Sequence, residues 1–274
     1  MPTFTVYKGN DSGNPVKNST TKPDELTDDY ILLRITASGV CGTDLHYVTP
    51  MTLGHEGIGI VEELGPNTKY LKKGDRVGWG YEMYGEQNFD QGSFASHAVW
   101  REAFLHKIPD ALSDIHAAPL QCGGGTVFQA LTGVKSTDTV GIIGIGGLGH
   151  MAIQFASKMG CRVIVLSGSD RKKKEALKLG AHEFVATKGA DKLSVSAPID
   201  RLIIPQMTFI NKGIKIIGSM IPSRAIHRQM LDFAALHDVR PIVEVFPMNE
   251  EKIAEALDKL DMGQITYRAV LVPE

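Results

Sequence analysis

The side chains in this sequence best suited to chemistry are three cysteines and a few histidines and carboxylates. Cys41-Gly-Thr-Asp-Leu-His46 is followed by Gly54-His-Glu-Gly-Ile-Gly59 and, much later, by Pro119-Leu-Gln-Cys-Gly-Gly124. Three cysteines in 274 residues cannot build a disulfide framework, which leaves packing residues, reactive thiols or metal ligands. Cys41, His55 and Cys122 together would offer Zn²⁺ two thiolates and an imidazole, with a fourth position open, as a catalytic zinc site requires. Gaps of 14 and 67 positions between them do not prove the site. Asp44 could orient a ligand from behind or cap a turn. Cys161, ahead of an apolar run, reads as a core residue. His97, His106, His116, His150, His182, His227 and His237 follow no partner pattern and are given no role.

A second chemical feature is Gly144-Ile-Gly-Gly-Leu-Gly149, a G-x-G-x-x-G run. It sits between the apolar Thr139-Val-Gly-Ile-Ile143, read as a strand, and Leu148, Met151, Ala152, Phe155 and Met159, which recur at helical spacing. In that setting the first glycine allows the turn, the second lets backbone approach a diphosphate and the third lets helix pack on strand. The diphosphate then meets free N–H groups at a helix N-terminus, which makes Gly144, Gly146, Gly147, Leu148 and Gly149 the expected cofactor-binding residues. The next strand, Cys161–Leu166, ends in Ser167-Gly-Ser-Asp-Arg-Lys-Lys-Lys174, where an NAD site would carry a carboxylate. Ser167, Ser169, Arg171 and Lys172 suit a 2′-phosphate instead, so NADP(H) is expected in preference to NAD(H).

Positioning these groups takes two kinds of element. Residues 1–121 hold short β-prone runs broken by Gly and Pro: Tyr30–Ile35, Gly57–Glu62, Asp75–Trp79 and Phe94–Trp100. Residues 122–220 alternate strand and helix, including a basic helix over Asp170–Leu179, as a parallel sheet with crossover helices does. Beyond 221 come two amphipathic helices, Arg224–His237 and Glu250–Met262, and a strand, Tyr267–Val272. The expected fold class is therefore α/β, with a β-rich domain from 1–121 and 221–274 around a dinucleotide-binding domain at 122–220. With 29 Lys+Arg against 31 Asp+Glu there is no polybasic face for a nucleic acid or an anionic membrane. No apolar run approaches the ~20 residues of a membrane span, and the start lacks a signal-peptide layout. A cytoplasmic location is expected.

The chain resembles the zinc-dependent medium-chain alcohol dehydrogenases, and within them the cinnamyl alcohol dehydrogenase-like NADP(H) branch. The resemblance rests on Ser38-Gly-Val-Cys-Gly-Thr-Asp-Leu-His46, Leu53-Gly-His-Glu-Gly57, Lys73-Gly-Asp-Arg-Val77, Leu120-Gln-Cys-Gly123, the glycine loop, the serine turn, Lys212-Gly-Ile-Lys-Ile-Ile-Gly-Ser219 and Tyr267-Arg-Ala-Val-Leu271. It implies a GroES-like catalytic domain beside a Rossmann-type domain, with Cys41, His55 and Cys122 as ligands of one catalytic zinc. It also implies that Glu56 approaches the metal during ligand exchange, that Thr43 and His46 relay a proton, and that Arg268 lies near the cofactor diphosphate. A homodimer formed through the strand at Ile214–Gly218, and aldehydes or primary alcohols as substrates, are implied in the same way.

Two departures stand out against that family. Gly78-Trp-Gly-Tyr-Glu-Met-Tyr-Gly85 runs into Gly92-Ser-Phe-Ala95 without the four cysteines of a second, structural zinc lobe, so no structural zinc is expected. Pro198–Ile204 resembles the fourth strand of the dinucleotide fold and Lys212–Gly218 the sixth, whereas Pro205 to Asn211 stands in place of a helix, the fifth strand and its loop, which gives a shortened sheet. The short Cys41–His55 spacing implies a trimmed loop at the substrate cleft. The competing readings are a zinc-free quinone or enoyl reductase, and an NADPH-binding protein that no longer catalyses.

Overall fold

The computed structural model describes residues 3–10, 14–22, 24–45, 51–80, 90–190, 192–203 and 221–274. The expected sixth strand at Lys212–Gly218, the dimer strand within it, the replaced segment from Pro205 to Asn211 and most of the shortened Gly78–Gly85 stretch lie outside the described residues. The chain divides into two units, Met1–Cys122 with Pro241–Glu274, and Gly123–Arg240.

The first unit contains β1 (Thr3–Gly9), β2 (Pro15–Thr21), β3 (Tyr30–Val40), β4 (Gly57–Leu64), β5 (Arg76–Trp79), β6 (His97–Arg101), β7 (His106–Lys107) and the short helix α1 (Asp114–Ala117). The second contains α2 (Gly123–Ala130), β8 (Thr139–Ile143), α3 (Gly149–Lys158), β9 (Arg162–Ser167), α4 (Lys173–Lys178), β10 (Glu183–Ala186), β11 (Arg201–Ile203) and α5 (Arg224–Leu236). The chain then supplies β12 (Val243–Pro247), α6 (Glu250–Asp261) and β13 (Arg268–Val272) to the first unit.

In the first unit the sheet order is β12-β13-β3-β4-β5-β7, with β6 also pairing β3. β3 is its axis. Its apolar residues Ile31, Leu33, Ile35 and Val40 are buried with Trp79, Phe94, Ile253 and Leu271 in one core, each such side chain contributing about 1.5–3 kcal/mol on removal from water. The β1–β2 hairpin, which the sequence reading does not anticipate, pairs Thr3 with Thr21 through to Gly9 with Pro15.

The second unit is a parallel sheet ordered β10-β9-β8-β11 among the described residues. Thr139–Ile143 runs beside Arg162–Leu166 on one flank, and Val140–Ile142 beside Arg201–Ile203 on the other. The boundary expected at 220/221 is displaced, because α5 falls in this unit. The cause is aromatic packing. Phe233 of α5 lies 5.7 Å from Phe128 of α2 and 6.0 Å from Phe155 of α3, ring centre to ring centre, within the range where such pairs attract. The helix expected over Asp170–Leu179 is shorter, Lys173–Lys178, with turns at both ends.

Candidate metal centre and dinucleotide loop

Strand register gathers the first site. Antiparallel pairing of Val40 with Ala269 and of Ser38 with Gly57 brings the residues just beyond them, Cys41, Arg268 and Glu56, to one end of three neighbouring strands. A backbone bond from Gly39 N to Glu56 O holds that end together at 3.0 Å. Gly39 is glycine for a steric reason, since a Cβ there would stand 1.9 Å from Glu56 Oε2. Cys122 arrives from another direction, after α1 and the 3₁₀ turn Ala118–Leu120, where Gln121 Nε2 donates to Ala117 O at 3.0 Å.

One ligand atom each from Cys41, His55, Glu56 and Cys122 lies within 4.8 Å of the others, and His55 and Glu56 are wholly buried. Tetrahedral zinc with Zn–S near 2.3 Å sets its sulfur ligands ~3.8 Å apart, so this set fits the ion. Asp44 fixes the geometry from behind. Its Oδ2 accepts from Cys41 N at 2.9 Å, and its Oδ1 meets Gly54 N at 3.2 Å and His55 Nδ1 at 3.0 Å. The two roles left open for Asp44, turn cap and ligand orienter, are filled by the same carboxylate. With Nδ1 held there, Nε2 is the ring atom left for a metal.

The charges of these groups depend on one another. The hydrogen bond from Cys122 holds the Cys41 thiol well below the ordinary thiol range despite burial, with help from His55 and Arg268. Cys122 is pushed well above it by that same bond and by burial. Burial works against a charged His55, but Asp44 outweighs it and holds the ring well above its usual value. Burial raises Glu56 to about 7 against the pull of Arg268. Arg268 donates through Nη2 to both Glu56 carboxylate oxygens. The expectation for Arg268 was the cofactor diphosphate, and its observed partner is Glu56. No sequence signal links two residues 212 positions apart. Thr43 is half-buried with its Oγ1 3.7 Å from Cys41 Sγ. His46 lies outside the described residues.

The glycine loop builds the second site from local geometry. Gly144 has φ +85°, open to glycine at little cost, and its N–H bonds Leu166 O of β9 at 2.8 Å. A Cβ on Gly149 would meet Gly144 O at 2.0 Å, which is why the helix can begin so close to the strand. A Cβ on Gly146 would meet nothing within 4 Å, so the loop is open where a diphosphate would approach. Leu148, at the N-cap of α3, supplies no side-chain acceptor, and the N–H groups of His150 and Met151 are taken by Gly146 O and Leu148 O, so a diphosphate would be met by the loop N–H groups ahead of them, such as that of Gly147. These features fit a dinucleotide.

At the end of β9, Ser167 is half-buried, and Ser169 and Arg171 are exposed. Lys172 does something the sequence reading does not anticipate: its Nζ reaches back to Ile145 O in the glycine loop at 3.2 Å. His150, given no role from sequence, is fully buried with Nδ1 3.0 Å from Gly146 O. Its four-residue offset from Gly146 across a helix start was the available signal. Among the described residues no helix is long and apolar enough to cross a membrane.

Comparison with known proteins bears on both sites. The model of the alcohol dehydrogenase GroES-like domain matches residues 27–110, and that of the zinc-binding dehydrogenase family matches residues 147–203. An alcohol dehydrogenase of Geobacillus stearothermophilus is 35% identical over 309 residues, spanning 88% of this chain and 91% of its own. NADP-dependent alcohol dehydrogenase 6 of Saccharomyces cerevisiae is 28% identical over 342 residues, spanning 97% and 95%. Both alignments are longer than 274 residues, so the relatives carry internal segments without a counterpart here. A solved cinnamyl alcohol dehydrogenase of Sorghum bicolor superposes with a TM-score of 0.84 at 26% identity, covering 99% of this chain and 98% of that one.

Proposed function

Because the chain belongs to the zinc-dependent medium-chain alcohol dehydrogenase family, cinnamyl alcohol dehydrogenase-like, we propose that it transfers hydride between NADP(H) and an aldehyde/primary alcohol pair at the Cys41–His55–Cys122 cluster. The carrying observation is the convergence of those three ligand atoms, with Glu56, inside 4.8 Å. A zinc ion held there would supply Lewis acidity to a carbonyl oxygen, and reduced nicotinamide the hydride.

The chain's own residues supply the rest. With a metal bound in place of the protons that Cys122 and His55 otherwise hold, Cys41 and Cys122 would bring thiolate charge and His55, braced by Asp44, a neutral nitrogen. Glu56 waits behind them on Arg268 and is the carboxylate available for ligand exchange. Thr43, beside Cys41, is placed to pass a proton to or from the substrate oxygen, with His46 next in the relay. In the second unit, Gly146, Gly147, Leu148 and Gly149 hold the diphosphate through backbone N–H groups. Ser167, Ser169 and Arg171 offer hydroxyls and a cation to a 2′-phosphate, with Lys172 nearby on the loop. The NADP dependence in the yeast relative's name supports that choice. A homodimer belongs to the same reading.

The test is metal content measured together with NADPH consumption over a small aldehyde panel. One zinc per chain with turnover is expected. Turnover without zinc would favour the quinone or enoyl reductase reading, and zinc with NADPH binding but no oxidation would favour the non-catalytic one.

A further inference from the structure

The carbonyls of Ile145 and Gly146 are both tied by side chains. Lys172 Nζ takes the first at 3.2 Å. His150 takes the second twice, through its backbone N at 3.1 Å and its ring Nδ1 at 3.0 Å. A carbonyl oxygen only accepts, so Nδ1 carries the ring proton in this bond. In a planar trans peptide the C=O of one residue and the N–H of the next point in opposite directions. Tying Gly146 O back toward the helix therefore turns Gly147 N–H the other way, and tying Ile145 O does the same for Gly146 N–H. The imidazole is fully buried, so its ring N–H has no bulk water to bond instead, although Gly146 itself is exposed, and Leu148 offers those N–H groups no side-chain acceptor.

We propose that His150 is a positioning residue for the dinucleotide: by donating Nδ1–H to Gly146 O it holds the Gly146–Gly147 peptide with its N–H toward the cofactor diphosphate. This rests on the reading of the glycine loop as the cofactor site and adds a residue to it. Without the ring, Gly146 O keeps only the backbone bond from His150 N, the peptide is held less firmly, and the diphosphate must select the productive orientation at its own expense.

The experiment uses the full zinc-loaded chain, with NADPH fluorescence titration and calorimetry of ADP-ribose, which carries the diphosphate without nicotinamide. His150→Ala should weaken both ligands about tenfold, the worth of one hydrogen bond. His150→Asn sets an amide N–H at the same number of bonds from the backbone and should recover most of that loss, although it leaves nearly as much of the ring volume empty. KM for NADPH should rise in His150→Ala while kcat at saturating cofactor and KM for the aldehyde hold. A purely structural histidine would leave His150→Asn as weak as His150→Ala, and that result overturns the proposal, as does wild-type affinity in His150→Ala. If the wild-type chain binds neither probe, the cofactor-site reading falls and takes this proposal with it, an outcome distinct from wild-type binding that the substitutions leave unchanged.

Discussion

Asp44 concentrates more of the metal centre in one side chain than any ligand does. A single carboxylate accepts from the backbone of Cys41, the backbone of Gly54 and the ring of His55, so the turn that carries one ligand and the ring of another are oriented by the same two oxygens. Asp44→Asn keeps the shape but replaces one acceptor oxygen with a donor nitrogen and removes the charge that supports the imidazole. Partners of this kind typically change metal affinity 10–100-fold, and a loss in that range is expected for zinc, measured by competition with a chromogenic chelator. An unchanged affinity would reduce Asp44 to a turn cap. The Glu56–Arg268 pair is a buried ion pair at the same cluster. Neither partner is tolerable alone there, which ties the last strand of the chain to the metal end of the sheet.

At the scale of elements, Glu102 shows how a loop is pinned to this sheet. Its carboxylate receives the backbone N–H groups of Tyr70 and Leu71, and of Lys69, at 2.7–2.8 Å. Burial opposes the charge, but those three bonds outweigh it and lower the Glu102 pKa from its ordinary value near 4.5. A folded-state value below the unfolded one stabilises at pH above about 4.5 and is lost as pH falls through the folded value. Glu102→Gln should cost about 1–3 kcal/mol in urea unfolding at neutral pH, and its stability should fall less steeply than wild type below pH 4.5. Parallel pH profiles would show that the bonds are not made in solution. Such elements were legible to different depths. The glycine loop was readable because strand, turn and helix are adjacent in sequence and each has its own period. The zinc ligands needed the family resemblance, because the pairing that sets Cys41 beside Arg268 and Glu56 is a register between strands far apart in the chain. α5 is readable as a helix from its apolar stripe, but nothing local says that Phe233 meets Phe128 and Phe155, so the sequence alone does not place it beside α2 and α3. The β1–β2 hairpin was overlooked although Phe4 and Val6 alternate with polar neighbours, and the ion pair of Glu56 with Arg268 had no local trace.

For the whole molecule, the division of labour follows the division of the chain. Every proposed metal ligand belongs to the unit formed by Met1–Cys122 and Pro241–Glu274, and the entire glycine loop belongs to Gly123–Arg240, so Cys122 is the last metal-centre residue before the cofactor unit begins. Cys122→Ser replaces a thiol with a hydroxyl that stays protonated at neutral pH and is a poor zinc ligand. It leaves untouched the bonds that shape the loop: Gly144 N to Leu166 O, Lys172 to Ile145 O and His150 to Gly146 O. The expected result is loss of zinc, read by metal analysis after dialysis against a chelator, loss of aldehyde turnover, and NADPH affinity equal to wild type. Retained turnover would remove Cys122 from the ligand set. Loss of zinc together with loss of NADPH binding would mean that the metal centre supports the fold of the cofactor unit as well as its own, because a ligand to one unit would then be a determinant of the other.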